Sequence, residues 1–118
     1  MISICKRFSF EAAHFLPDHA GLCKNLHGHS YKLEVEVTGP INDFGMIMDF
    51  GNLSKLVNQC IIKQIDHCNL NELMNNPTAE NTLLEICRTL KDILPGDIKL
   101  KEIRLWETEK CFVRWVED

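Results

Sequence analysis

The chain has 118 residues, 45% of them hydrophobic and 25% charged, with a formal net charge of −4. That length fits a single domain, residues 1–118, with a core that needs no covalent staples. The acid excess argues against broad nucleic-acid binding, which needs a basic field to attract phosphates. No apolar run approaches the roughly 18 residues of a membrane span, and Lys6 and Arg7 interrupt the opening stretch, so no signal peptide is expected.

Residues 2–14 alternate. Ile4, Phe8, Phe10 and Ala12 share one parity and Ser3, Arg7, Ser9 and Glu11 the other, a strand pattern whose even parity ends at His14. Residues 15–26, with Pro17, Asp18 and Gly21, then read as a loop. Connections of about 12 residues are uncommon and tend to be functional. A second strand is expected over residues 29–38, where Tyr31, Leu33, Val35 and Val37 alternate with Lys32, Glu34 and Glu36. A turn follows at Gly39-Pro40 and Asn42-Asp43, and residues 45–49 read as a short extension of the sheet.

Leu53, Leu56, Val57, Cys60, Ile61 and Gln64 mark a helix over residues 52–65. After an asparagine-rich loop at 69–76, Pro77-Thr78-Ala79-Glu80 opens a second helix with Thr78 as N-cap and Leu83, Cys87, Leu90 and Leu94 as its stripe. Residues 98–106 and 111–116 read as the last two strands. The parity change between Leu100 and Ile103 predicts a bulge near Lys101. The order ββααββ gives an α+β fold, a sheet covered by two helices.

The six cysteines include no Cys-x-x-Cys pair. Cys5, Cys60, Cys87 and Cys111 lie in apolar patterns and are expected as small buried hydrophobes. Cys68 stays unassigned, and a reducing cytoplasm is the expected compartment.

The densest chemistry lies in Cys23-Lys24-Asn25-Leu26-His27-Gly28-His29. On a strand, residues two apart share a face about 6.5 Å apart. His27 and His29 can thus meet one ion at Zn–N distances of about 2.0–2.1 Å, with His14 as third ligand from the neighbouring strand end. Three protein ligands leave the fourth tetrahedral position open, as catalytic zinc requires; the plain alternative is three solvent-facing strand-end histidines. Cys23 allows three readings: a fourth, structural ligand; a thiolate base or nucleophile helped by Lys24; or an ordinary loop cysteine. Asp66-His67 reads as a carboxylate–imidazole pair, or as a histidine complementing a helix C-terminus. Glu107 is either a solvated strand-end carboxylate or an acceptor of two parallel N–H bonds from a guanidine-like edge. His19 reads as a loop residue.

Taken together, these segments resemble the 6-pyruvoyltetrahydropterin synthase family, and within it the branch that forms 6-carboxytetrahydropterin. The resemblance is carried by Phe8-Ser9-Phe10-Glu11-Ala12-Ala13-His14, the Cys-x3-His-Gly-His stretch at 23–29, and Met48-Asp49-Phe50. Asp66-His67-x-x-Leu70-Asn71, Pro77-Thr78-Ala79-Glu80-Asn81 and Trp106-Glu107-Thr108 complete it in order. The three-residue gap between cysteine and histidine is the feature that points to the carboxy-forming branch.

The resemblance implies the tunnelling fold: a four-stranded antiparallel sheet with two helices on one face, closed into a barrel by three copies, two trimers making a homohexamer. It implies Zn2+ on His14, His27 and His29, and Cys23 as general base. It also implies an Asp66–His67 relay reaching Cys23 from a neighbouring subunit, and Glu107 anchoring the pterin with Thr78 and Thr108 nearby. The substrate implied is 7,8-dihydroneopterin triphosphate, cleaved to 6-carboxy-5,6,7,8-tetrahydropterin, acetaldehyde and triphosphate for 7-deazaguanine (queuosine or archaeosine) synthesis. No nucleic-acid or membrane partner is expected. Two rivals stand beside it: a related lyase that makes the pyruvoyl product or cleaves dihydroneopterin-type side chains, and a non-catalytic zinc module closed by Cys23.

Overall fold

The computed structural model describes residues 1–118. Strands β1 (Ser3–His14) and β2 (His27–Thr38) form an antiparallel ladder paired from Ser3↔Thr38 to His14↔His27. β4 (Lys99–Thr108) pairs with β2, and β5 (Cys111–Val116) pairs with β4. A two-residue strand, β3 (Cys68–Asn69), runs parallel to β1 at Ala12 and Ala13, giving the order β3-β1-β2-β4-β5. The expected four antiparallel strands are therefore present, with a short parallel fifth. Backbone pairing over two residues leaves no alternation in the sequence, so β3 went unread at the start of the expected 69–76 loop.

The expected alternation becomes two unlike faces. Phe10 and Ala12 of β1, Tyr31, Leu33, Val35 and Val37 of β2, and Leu100, Ile103 and Leu105 of β4 are buried beneath the helices. The opposite face carries Arg7, Glu34 and Arg104 in one cross-strand row, with Arg7 on Glu34 and Arg104 Nε on Glu102 Oε2 at 2.5 Å. Cys5 sits on this polar face and Cys111 on the edge strand. Both are exposed, which corrects the expectation of burial, whereas Cys87 is buried; all six cysteines are free thiols. Leu100 pairs with Val37 and Glu102 with Glu36, so Lys101 is the extra residue of the expected bulge.

The first helix, α1 (Phe50–Val57), runs on through a π turn (Asn58–Ile62) into a closing turn, α2 (Lys63–Ile65). Four residues overshoot one α-helical turn by about 40°, and the wider π turn takes up that drift. The buried stripe is therefore Leu53, Val57, Ile61 and Ile65, and Gln64, expected in it, is exposed. Residues 45–49 are not a sheet extension. Asn42 Oδ1 accepts from the N–H groups of Phe44 and Met46 at 2.9 and 3.1 Å, Gly45 takes a positive φ of 81°, and Asp49 caps α1 by accepting from Asn52 N–H at 3.1 Å. Those bonds turn the chain before it can pair. Helix α3 (Ala79–Ile93) starts at the expected cap, with Thr78 Oγ1 accepting from Asn81 N–H at 3.0 Å. It buries Leu83, Ile86, Cys87 and Leu90 against the sheet. No helix is long and apolar enough to cross a membrane.

Candidate active site

The ladder builds the site at one end. His14 closes β1 directly opposite His27, which opens β2 two residues before its expected start; His29 follows on the same face, opposite Ala12. Ring centroids stand 4.6 Å apart for His14–His27, 5.2 Å for His14–His29 and 5.0 Å for His27–His29. One nitrogen of each ring lies within 4.8 Å of the other two, and this group of three does not include Cys23.

Backbone carbonyls set the tautomers. His14 Nδ1 lies 2.7 Å from the Pro77 carbonyl and His27 Nδ1 2.7 Å from the Asn25 carbonyl. A carbonyl only accepts, so Nδ1 carries the proton and Nε2 keeps its lone pair, the arrangement found behind metal-bound imidazoles. His14 is 1% exposed, and the Nε2 atoms of His14 and His29 are buried with no hydrogen-bond partner. Leaving such groups unsatisfied costs on the order of 1–3 kcal/mol each. Burial, followed by the neighbouring His14 and His27, holds the His29 imidazole below its ordinary pKa despite the opposing effect of Glu107. Three imidazoles whose nitrogens converge, two of them buried without a partner, fit a metal ion.

Glu107, one residue past the Lys32↔Trp106 pair, sits over the cluster: Oε1 is 3.5 Å from His29 Nε2 and Oε2 3.9 Å from His14 Nε2. Thr108 is separated from it. Its Oγ1 accepts from Lys110 N–H at 3.2 Å, and it lines a pocket of about 650 Å³ with Arg7, Ser9 and Lys32, residues of the polar face. Glu107 is the extra residue where the β4–β5 register shifts between Trp106 and Thr108; it meets the histidines while Thr108 lines that pocket. Thr78 reaches the cluster only indirectly. Its hydroxyl caps α3, while the preceding Pro77 supplies the carbonyl that His14 meets.

Cys23 lies half-buried in a 3-10 turn (Leu22–Lys24) of the expected loop, its carbonyl accepting from Leu16 N–H at 2.8 Å. Asp66 and His67 embrace the backbone of Glu11. Asp66 Oδ1 accepts from Glu11 N–H at 2.9 Å, and His67 N–H donates to the Glu11 carbonyl at 2.5 Å. Asp66 Oδ1 also lies 3.1 Å from His67 Nδ1, and the Glu11 N–H, with help from His67, holds the Asp66 carboxyl below its usual range. His67 has φ 61°, a left-handed conformation costly for a residue with a Cβ, and its side chain is 77% exposed. It faces a groove of about 560 Å³ shared with Glu11, Gly28, His29, Ser30 and Cys68. Its bonds run to Asp66 and Glu11, and none joins it to Cys23.

Sequence reasoning missed the carbonyls of Pro77 and Asn25, which carry no side-chain signature. It also counted Tyr31 only as core. Tyr31 is fully buried, with its hydroxyl 3.5 Å from His14 Nδ1 and its acidity suppressed first by burial and then by Glu107. Its parity, two residues beyond His29, was the available signal.

Comparisons with known proteins point to one family. The family profile described as 6-pyruvoyl tetrahydropterin synthase matches residues 3–118. A dihydroneopterin monophosphate aldolase of Pyrococcus furiosus is 46% identical over 104 residues, 88% of each chain. A 6-carboxy-5,6,7,8-tetrahydropterin synthase of Haemophilus influenzae is 33% identical over 141 residues, 99% of this chain and 100% of that one. The solved 6-pyruvoyl tetrahydropterin synthase of Caenorhabditis elegans superposes with a TM-score of 0.86 at 24% identity, covering 99% of this chain and 96% of that one, a likeness of fold.

Proposed function

This chain belongs to the 6-pyruvoyl tetrahydropterin synthase family, and from that premise we propose that it is a zinc-dependent pterin side-chain lyase. In this reading it converts 7,8-dihydroneopterin triphosphate and water to 6-carboxy-5,6,7,8-tetrahydropterin, acetaldehyde and triphosphate. The observation that carries the reading is the convergence of three imidazoles, two with buried unpartnered Nε2 atoms, directly beneath the Glu107 carboxylate.

His14, His27 and His29 would hold the ion. An ion held there would supply Lewis acidity toward the hydroxyls of the substrate side chain, which would favour loss of the adjoining C–H proton. The Glu107 carboxylate accepts two N–H bonds from the 2-amino and N3 edge of the pterin, which fixes the ring over the histidines. Cys23 takes the side-chain proton as general base. Asp66, kept ionised by the Glu11 N–H, orients the His67 ring through Nδ1 and leaves Nε2 to carry protons.

Two features support an assembly in which neighbouring copies complete each site. β3 covers β1 only at Ala12 and Ala13, so the outer edge of β1 and that of β5 are both open, on opposite sides of one sheet. Open edges call for a partner strand, and copies joined edge to edge close a barrel. His67 is exposed and unlinked to its own Cys23, as a group serving a neighbour's site would be.

The 46% identity to the P. furiosus aldolase favours a second reading, in which the same residues cleave the side chain of dihydroneopterin monophosphate. The two part on products. Incubation with the triphosphate should yield acetaldehyde and the 6-carboxy product. Retro-aldol cleavage of the monophosphate should instead yield 6-hydroxymethyl-dihydropterin and phosphorylated glycolaldehyde. Mass spectrometry of both incubations decides, and turnover of neither substrate would overturn the lyase proposal.

A further inference from the structure

The segment between the histidines and Cys23 is held by a side chain outside the assignments above. His14 ends β1, and its partner His27 opens β2, so Phe15 has no ladder neighbour on β2. Its N–H donates to Asn71 Oδ1 at 2.8 Å, and its carbonyl accepts from Nδ2 of the same amide at 2.9 Å. The register explains the fit. β1 and β3 pair in parallel at Ala12↔Cys68 and Ala13↔Asn69, which brings the turn after β3 alongside the chain that leaves β1. The Asn71 amide stands in for a peptide group there and continues the pairing beyond the backbone ladder.

Asn71 is itself fixed. Its N–H donates to Asn69 Oδ1 at 3.1 Å, and it follows the fully buried Leu70 in a 3-10 turn (Leu70–Glu72). On the other side of the clamp, Leu16 donates its N–H to the Cys23 carbonyl at 2.8 Å. Two successive residues thus connect Asn71 to Cys23. The turn that carries Cys23 is otherwise loosely packed, with Leu22 86% exposed.

We propose that Asn71 is a positioning residue that sets where Cys23 stands relative to the three-histidine cluster, an inference that rests on Cys23 being the base. His14 has separate supports in its ladder partner His27 and the Pro77 carbonyl. Loss of the clamp therefore falls on the loop before it falls on the metal. An aspartate at 71 can still accept from Phe15 N–H but sets a carboxylate against the Phe15 carbonyl; an alanine does neither.

The test uses zinc-loaded Asn71→Ala and Asn71→Asp proteins, the second retaining the side-chain size should the first fail to fold. The readouts are kcat and KM for 7,8-dihydroneopterin triphosphate and for dihydroneopterin monophosphate, zinc affinity by chelator competition, and amide exchange over residues 15–24. A fifth is the rate of Cys23 alkylation by iodoacetamide, mapped by peptide mass spectrometry. The expected result is kcat lower by about 10–10²-fold, as for a small misplacement of a reacting group, with KM and zinc affinity near wild type. Exchange should accelerate and the Cys23 alkylation rate should shift. Unchanged alkylation and kcat overturn the proposal, as does a loss confined to zinc affinity, which would make Asn71 a support of His14 alone. Cys23→Ala tests the underlying assignment separately. If that variant turns over normally, the base role is wrong, while altered exchange and alkylation in the Asn71 variants still sustain the positioning.

Discussion

His14 and His27 are direct partners across the β1–β2 ladder, the last residue of one strand against the first of the next, with ring centroids 4.6 Å apart. Two of the three converging imidazoles are thereby set by strand register. His27→Ala or His29→Ala should leave a two-imidazole site too weak to retain zinc. Metal analysis after gel filtration should show stoichiometry falling well below that of the wild type; full occupancy in either variant would rule out the three-histidine centre.

Cys23 lies outside the group of three, so its loss should spare the metal. Cys23→Ala is expected to keep zinc and its fold while turnover falls by about 10²–10⁴-fold, the usual contribution of a positioned acid–base group. A zinc-depleted, unstable variant would return Cys23 to the role of structural ligand.

Glu107→Gln should weaken pterin binding more than it weakens folding. The amide offers one acceptor and turns a donor toward the ring's own N–H edge, whereas the carboxylate accepts at both oxygens. Fluorescence titration with a pterin ligand checks this, and equal affinities would assign the ring to another group.

Thr78 separates a binding role from a capping role. Its hydroxyl accepts from Asn81 N–H at 3.0 Å, and N-cap replacement by alanine typically costs about 1 kcal/mol. Thr78→Ala should therefore lower thermal stability, while Thr78→Ser, which keeps the cap, should restore both stability and activity. A serine variant that is stable yet loses substrate affinity would show that the threonine methyl meets the substrate.

Asp66 gives a signed pH dependence. Its carboxyl is held below the unfolded value, near 3.9, first by the Glu11 N–H and then by His67. A lowered folded pKa contributes stability that is complete above the unfolded pKa and is lost as pH falls through the folded one. Denaturation midpoints of the wild type should decline over that acid window, and Asp66→Asn should flatten this part of the curve. Parallel curves would mean that the Glu11 contact does not favour the ionised form.

The parts of this fold written in side chains were legible beforehand. The alternation of β1 and β2, the shared face of His27 and His29, the Thr78 cap and the extra residue at Lys101 all leave marks in residue order. What escaped was written in backbone. β3 is two residues of main-chain pairing, and the Pro77 and Asn25 carbonyls hold histidines through groups that every residue has. Gln64 was misplaced because a π turn changes the helical period locally, and residues 45–49 because one asparagine side chain turns the chain. Thr108, which the resemblance set beside Glu107, lines the polar-face pocket while Glu107 meets the histidines.

The uninterrupted ladder from Ser3↔Thr38 to His14↔His27 has an evolutionary corollary. One residue inserted into or deleted from either strand would move every side chain beyond it to the other face of the sheet. A deletion at Lys6, about 26 Å from His14 along the strand at 3.3 Å per residue, would scatter the imidazoles as surely as replacing one. Point changes on the polar face can accumulate, but changes in length cannot. Homologous chains that differ in size should therefore place their extra residues in the loop that holds Cys23 or in the connections beyond β2, leaving both long strands at constant count.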